Sequence, residues 1–242
     1  MTPTTLSVHN CTVKAVQPLQ LPDPDYGDMK LNVFPFEHTG EYVHLPDAYK
    51  IWEPALNEIL KLVPLVDGCN QHYVTIDSKF FTVDDFLRRE GVHIDGNFCA
   101  DIKFSYSTWG GTRTTWGGTS TVPDPEKTEN YQVVTPWVSP YGVTVPFGTY
   151  VSGELGGIFC VSSEVGCRAW SGDFDGEVGD EGDFTSMMNQ LTDDKEIVFD
   201  KNHLYFMSSN TPHESLKIDK GTRRTFMRLT LNHKYPNKNL LV

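Results

Sequence analysis

Cysteine is scarce in this 242-residue chain: five residues, Cys11, Cys69, Cys99, Cys160 and Cys167, with no two in Cys-x-x-Cys spacing. That argues against a zinc ribbon, and an odd number of thiols without a framework fits a reducing, cytoplasmic setting. Basic residues are outnumbered, 20 Lys and Arg against 32 Asp and Glu, for a net charge of −12. A nucleic-acid surface needs clustered Lys and Arg, so none is expected, although a single nucleobase in a local basic pocket stays compatible. There is no run of 18 apolar residues, so no transmembrane helix is expected, and the first residues lack the apolar core of a secretory signal. The chain also lacks extended β/α alternation, a nucleotide-binding glycine loop and a nucleophile elbow. The run Gly172 to Phe184 carries six carboxylates, Asp173, Asp175, Glu177, Asp180, Glu181 and Asp183, but Val178 stands where a calcium loop needs glycine. A solvated loop is the expectation there.

What is present points to β structure. Aromatic content of 12%, with 20 Gly and 15 Pro, suits short strands and many turns, and the length suits one domain. His72 to Phe81 (HYVTIDSKFF) reads as a strand from its Tyr, Val, Thr, Ile and Phe content. Leu204 to Met207 and Arg223 to Leu231 read as two more. Ile51, Trp52, Leu56, Ile59, Leu60 and Val63 make one helical stripe, with Pro54 suited to the first turn. A second, short helix is expected over Thr82 to Arg89, with Thr82 as its cap.

The chemistry-bearing residues lie far apart. His93 and Asp95 stand two apart, so an extended chain puts both on one face. His213 comes 118 residues after Asp95, just beyond the turn Ser208 to Pro212. Two imidazoles and one carboxylate on one side of a metal leave several coordination positions open, the facial set of non-haem Fe(II) oxygenases. Arg224 and Arg228, four apart on the last strand, also share a face and suggest an anion site beside the metal.

This pattern resembles the Fe(II)/2-oxoglutarate-dependent oxygenases, whose signature is His-x-Asp, a distal His and a following Arg. The match runs over residues 72–232, and arginines eleven and fifteen residues after His213 are similar to the taurine dioxygenase branch. The resemblance implies that His93, Asp95 and His213 hold Fe(II), and that dioxygen and 2-oxoglutarate are co-substrates. It implies that Arg224 binds the far carboxylate of 2-oxoglutarate through a bidentate pair, with Arg228 as neighbour or substrate anchor. Arg223 is the register alternative, followed two residues later by Thr225. The implied fold is mainly β, a double-stranded β-helix (jelly roll) with a few flanking helices. One domain over 1–242 is expected: a covering segment and helix at 1–71, the jelly-roll core at 72–232, and a tail at 233–242.

The implied reaction is hydroxylation of an unactivated C–H bond of a small molecule, such as an amino acid, with release of succinate and carbon dioxide. A nucleobase or protein side chain is the next substrate class. Two other readings stand beside it: a non-catalytic jelly-roll binding module, and a cupin-type metal enzyme that ignores 2-oxoglutarate. Trp-Gly-Gly-Thr occurs twice, at Trp109–Thr112 and Trp116–Thr119, around Arg113. Trp109, Arg113 and Trp116 are candidate substrate contacts on a flap; a surface hairpin with its tryptophans on the core is the equal alternative.

Overall fold

The computed structural model describes residues 7–22, 29–86, 90–94, 137–138, 144–145, 154–176, 178, 182–232 and 234–242. The architecture is mainly β, and every strand pairing among these residues is antiparallel.

The main sheet has six strands in the order β2 (Val13–Pro18), β11 (His203–Met207), β7 (Ile158–Ser162), β13 (Thr222–Thr230), β4 (Gln71–Phe81) and β3 (Met29–Glu37). A smaller sheet runs β10 (Glu196–Val198), β8 (Cys167–Trp170) and β12 (His213–Ser215). Strand β1 (Ser7–Cys11) pairs with β9 (Gly172–Asp175), and β5 (Trp137–Val138) with β6 (Thr144–Val145).

Strand alternation assigns the two faces of the main sheet. On one face Val74, Ile76, Phe159, Val161, Leu204, Phe206, Met227 and Leu229 bury against Trp52, Leu56, Ile59 and Leu60 of the helical segment. That segment is one 3-10 turn, Asp47–Trp52, running into α1 (Glu53–Leu60), with Pro54 in the first turn of α1 as expected. Each large side chain buried here contributes about 1.5–3 kcal/mol. On the other face Ile158, Cys160, Tyr205, Met207 and Phe226 pack against Ala169 of β8 and Phe199, which joins the small sheet to the large one. The two sheets therefore enclose an inner space, and residues 224, 226 and 228 of β13 face it.

Four expectations change. The first 71 residues are more than a cover: β2 and β3 are the two edge strands of the main sheet. The tail is part of the core, since Tyr235 is fully buried and its hydroxyl donates to the Pro64 carbonyl at 2.7 Å. Burial raises its phenol to about 12. The helix expected from Thr82 does not start. Asp85 caps Thr82 through its backbone N–H and hydroxyl, but Phe86 then pairs with Lys217 as a β-bridge. Competition from β-pairing wins over a marginal single turn. Finally, the acidic run opens as strand β9, because Phe174 is fully buried against Phe184 and Trp170.

Candidate metal centre

His93 lies in a three-residue strip, Val92 to Ile94, laid between β12 and residues 182–184. On one side His93 and His213 exchange both backbone hydrogen bonds, at 3.0 and 2.9 Å. On the other side the Ile94 N–H donates to the Gly182 carbonyl at 2.9 Å and the Phe184 N–H to Val92 at 3.1 Å. The sequence supports this local arrangement by alternation: Val92, Ile94 and Phe184 bury on the outer face with Trp170 and Phe174. The intervening residue, His93, must point to the opposite face.

Directly opposed residues of an antiparallel pair share a face, so the two imidazoles stand side by side. Their ring centroids are 4.5 Å apart at an interplanar angle of 56°, and each residue is only 8% exposed. Each ring is oriented by a carbonyl two residues before it. His93 Nδ1 lies 2.8 Å from the Gly91 oxygen, and His213 Nδ1 lies 2.9 Å from the Thr211 oxygen. A carbonyl only accepts, so both Nδ1 atoms carry hydrogen, and in the neutral form of each ring the lone pair lies on Nε2. That is the tautomer a metal ligand needs, held by the carbonyl partner that metal-ligating histidines commonly use.

Among the described residues no three His, Cys, Asp or Glu side chains form a metal-holding group. Asp95 lies outside the described residues, as do Trp109, Arg113 and Trp116.

The arginines divide by strand parity. His213 sits opposite Ala169, which faces the inner space with Cys160 and Phe226. Arg228 sits opposite Cys160 and so faces the same space. Arg224 does too, and is flanked by the rings of Phe81 and Phe226, each centroid 5.0 Å away. It is 2% exposed, and its Nη2 donates to Asp77 at 2.7 Å. Burial pulls its pKa down, and the Asp77 carboxylate and the Cys167 sulfur push back up. Arg223 belongs to the opposite face, in register with Thr225, Met227 and Leu229, and is half-buried at the strand end. Arg228 is buried, and its Nε donates to Thr230 Oγ1 at 3.0 Å, which sets the plane of the guanidinium. Opposite Arg228 stands Thr75, whose hydroxyl is buried without a hydrogen-bond partner among the described residues.

Sequence reasoning passed over Asp77 and Thr75. Their signal was present: two polar residues, two apart, alternating with the apolar Val74 and Ile76 in the middle of the strand. A buried polar residue is the informative exception in such a run. No family model matches the chain, and neither a curated protein nor a solved structure does.

Proposed function

We propose that the protein is an Fe(II)- and 2-oxoglutarate-dependent dioxygenase on a jelly-roll fold, hydroxylating a C–H bond of a small molecule. One observation carries this reading: two buried imidazoles, 120 residues apart in the chain, stand side by side with each Nδ1 fixed by a backbone carbonyl, on a face shared with buried arginines. His93 and His213 supply two ligands of the facial set, and Asp95 is the third. With dioxygen, bound Fe(II) would supply the oxidation of 2-oxoglutarate to succinate and carbon dioxide, and of a C–H bond to an alcohol.

The rest is the chain's own work. The Gly91 and Thr211 carbonyls orient the two rings and take the Nδ1 hydrogens, so that Nε2 is the nitrogen each ring would offer a metal. Arg224 bonds the Asp77 carboxylate, and the far end of 2-oxoglutarate is assigned to Arg228 for the two hydroxyls that surround it, those of Thr230 and Thr75. There the guanidinium plane is set by Thr230, and the Thr75 hydroxyl can donate a further hydrogen bond to an anion. Burial strengthens these contacts, because a low-dielectric wall replaces water around the charge.

The test is Fe(II)-dependent conversion of 2-oxoglutarate to succinate, screened across a metabolite library. His213→Ala and Asp95→Ala should each abolish it. Arg228→Ala should raise the 2-oxoglutarate requirement at least tenfold, with Fe(II) binding retained. Full activity in His213→Ala would overturn the metal assignment, and metal uptake without any 2-oxoglutarate response would favour a cupin-type enzyme.

A further inference from the structure

His93 has two cross-strand neighbours on its inner face. One is His213. The other is Asp183, bridged to His93 on the side away from β12. The bonds around this second pair come from the flanking residues, Ile94 to Gly182 and Phe184 to Val92. His93 and Asp183 are therefore a non-hydrogen-bonded pair, the closer type, in which Cβ atoms lie about 4.5–5.5 Å apart. The row His213, His93, Asp183 thus crosses three adjacent segments on one face.

The row depends on Gly182. Its φ is +80°, and a Cβ there would lie 2.3 Å from the Ile94 carbonyl oxygen. Only glycine lets this segment approach close enough to set Asp183 beside His93.

Asp183 also differs from three carboxylates on the neighbouring strands. Asp77 is matched by Arg224, and Glu196 and Glu214 by Arg168. Among the described residues, the polar contact of Asp183 is the Thr185 hydroxyl, which donates to Oδ1 at 2.8 Å. That bond orients the carboxylate without neutralising it. Asp183 is half-buried, and it joins no three-residue metal group with the two histidines.

We propose that Asp183 is the substrate-reading carboxylate of this site, and that the substrate carries an ammonium or guanidinium group held against it. The proposal rests on the oxygenase reading above and adds the class of substrate. A fixed negative charge beside the metal-binding imidazoles selects a cation by a charge-assisted hydrogen bond and rejects its neutral isostere.

The experiment uses the full chain loaded anaerobically with Fe(II) and 2-oxoglutarate. Calorimetry compares L-arginine with L-citrulline and L-lysine with L-norleucine, and equilibrium dialysis follows Fe(II). The wild type should bind the cationic member of at least one pair tenfold or more tighter. Asp183→Asn should erase that preference while its Fe(II) affinity stays within twofold of wild type. Equal binding within both pairs, or no binding of any of the four, overturns the inference while leaving the oxygenase reading standing. A tenfold loss of Fe(II) affinity in Asp183→Asn also overturns it, by making Asp183 a metal ligand. Absence of Fe(II) uptake by the wild type sinks both readings together.

Discussion

Asp77 and Arg224 form a buried ion pair: a 2.7 Å hydrogen bond links them, with relative side-chain exposures of 9% and 3%. The two strands that carry them are neighbours, and Asp77 stands opposite Phe226, one of the rings that flank the guanidinium. A pair this deep is weak evidence for stability but costly to break from one side.

Removing the carboxylate alone strands a buried guanidinium. Asp77→Ala should therefore destabilise the protein by about 3–5 kcal/mol, read by urea denaturation. Replacing both partners, Asp77→Leu with Arg224→Met, should recover most of that loss. An Asp77→Ala cost below about 1 kcal/mol would show the pair to be solvated.

His72 supplies a pH signature. It is fully buried on the helix side of β4, and its Nδ1 accepts the Asn232 N–H at 3.1 Å. Desolvation, and then the charge of neighbouring His38, lower its pKa from 6.5 to about 4. With a depressed folded-state value the neutral ring's contribution is complete above about pH 6.5 and is lost as pH falls toward about 4. The loss should approach roughly 3 kcal/mol. His72→Asn, which keeps an acceptor near the Nδ1 position, should flatten the stability-against-pH curve between those limits; an unchanged slope would assign the acid sensitivity elsewhere.

Gly182→Ala tests the strip that positions His93. The added methyl meets the Ile94 carbonyl oxygen at 2.3 Å, and the positive φ adds strain. A loss of about 1–3 kcal/mol is expected. Weaker Fe(II) binding should accompany it, because the same backbone ladder holds the His93 ring. By contrast, Gly68→Ala has a similar φ of +71° but open space around the new methyl, so it should cost less.

Deletion of residues 233–242 tests whether the tail is an appendage. Tyr235 is fully buried in the main cluster, and Leu240 and Val242 pack against that cluster. Losing one such aromatic costs about 3–5 kcal/mol, a large share of a domain's stability. The truncated chain should be largely unfolded at 25 °C by circular dichroism. A cooperative transition near the full-length midpoint would return the segment to the role of a loose tail.

Much of this was legible in the chain. The stripe from Ile51 to Val63 buries where a 3.6-residue period puts it, and β4, β11 and β13 fall within a residue or two of their expected bounds. These elements are decided locally, by side-chain period and turn residues, so a linear reading finds them. Thr82 shows the limit of that reading. Its hydroxyl and N–H bond Asp85 as at a helix start, but no helix follows, because Phe86 pairs with Lys217, 131 residues beyond it in the sequence.

The site divides the same way. Residue identity alone placed Arg224 and Arg228 on one face of their strand, because strand parity is a local property. Three relationships needed the folded chain. The pairing of His93 with His213 joins segments with no local cue to meet. The bond between Arg224 and Asp77 joins side chains from two strands far apart in the sequence. The place of Asp183 beside His93 came from a register that only Gly182 permits. Period and turn chemistry act over a few residues and are written in the chain; which strand lies next to which depends on burying all the apolar faces at once, and that is settled only in three dimensions.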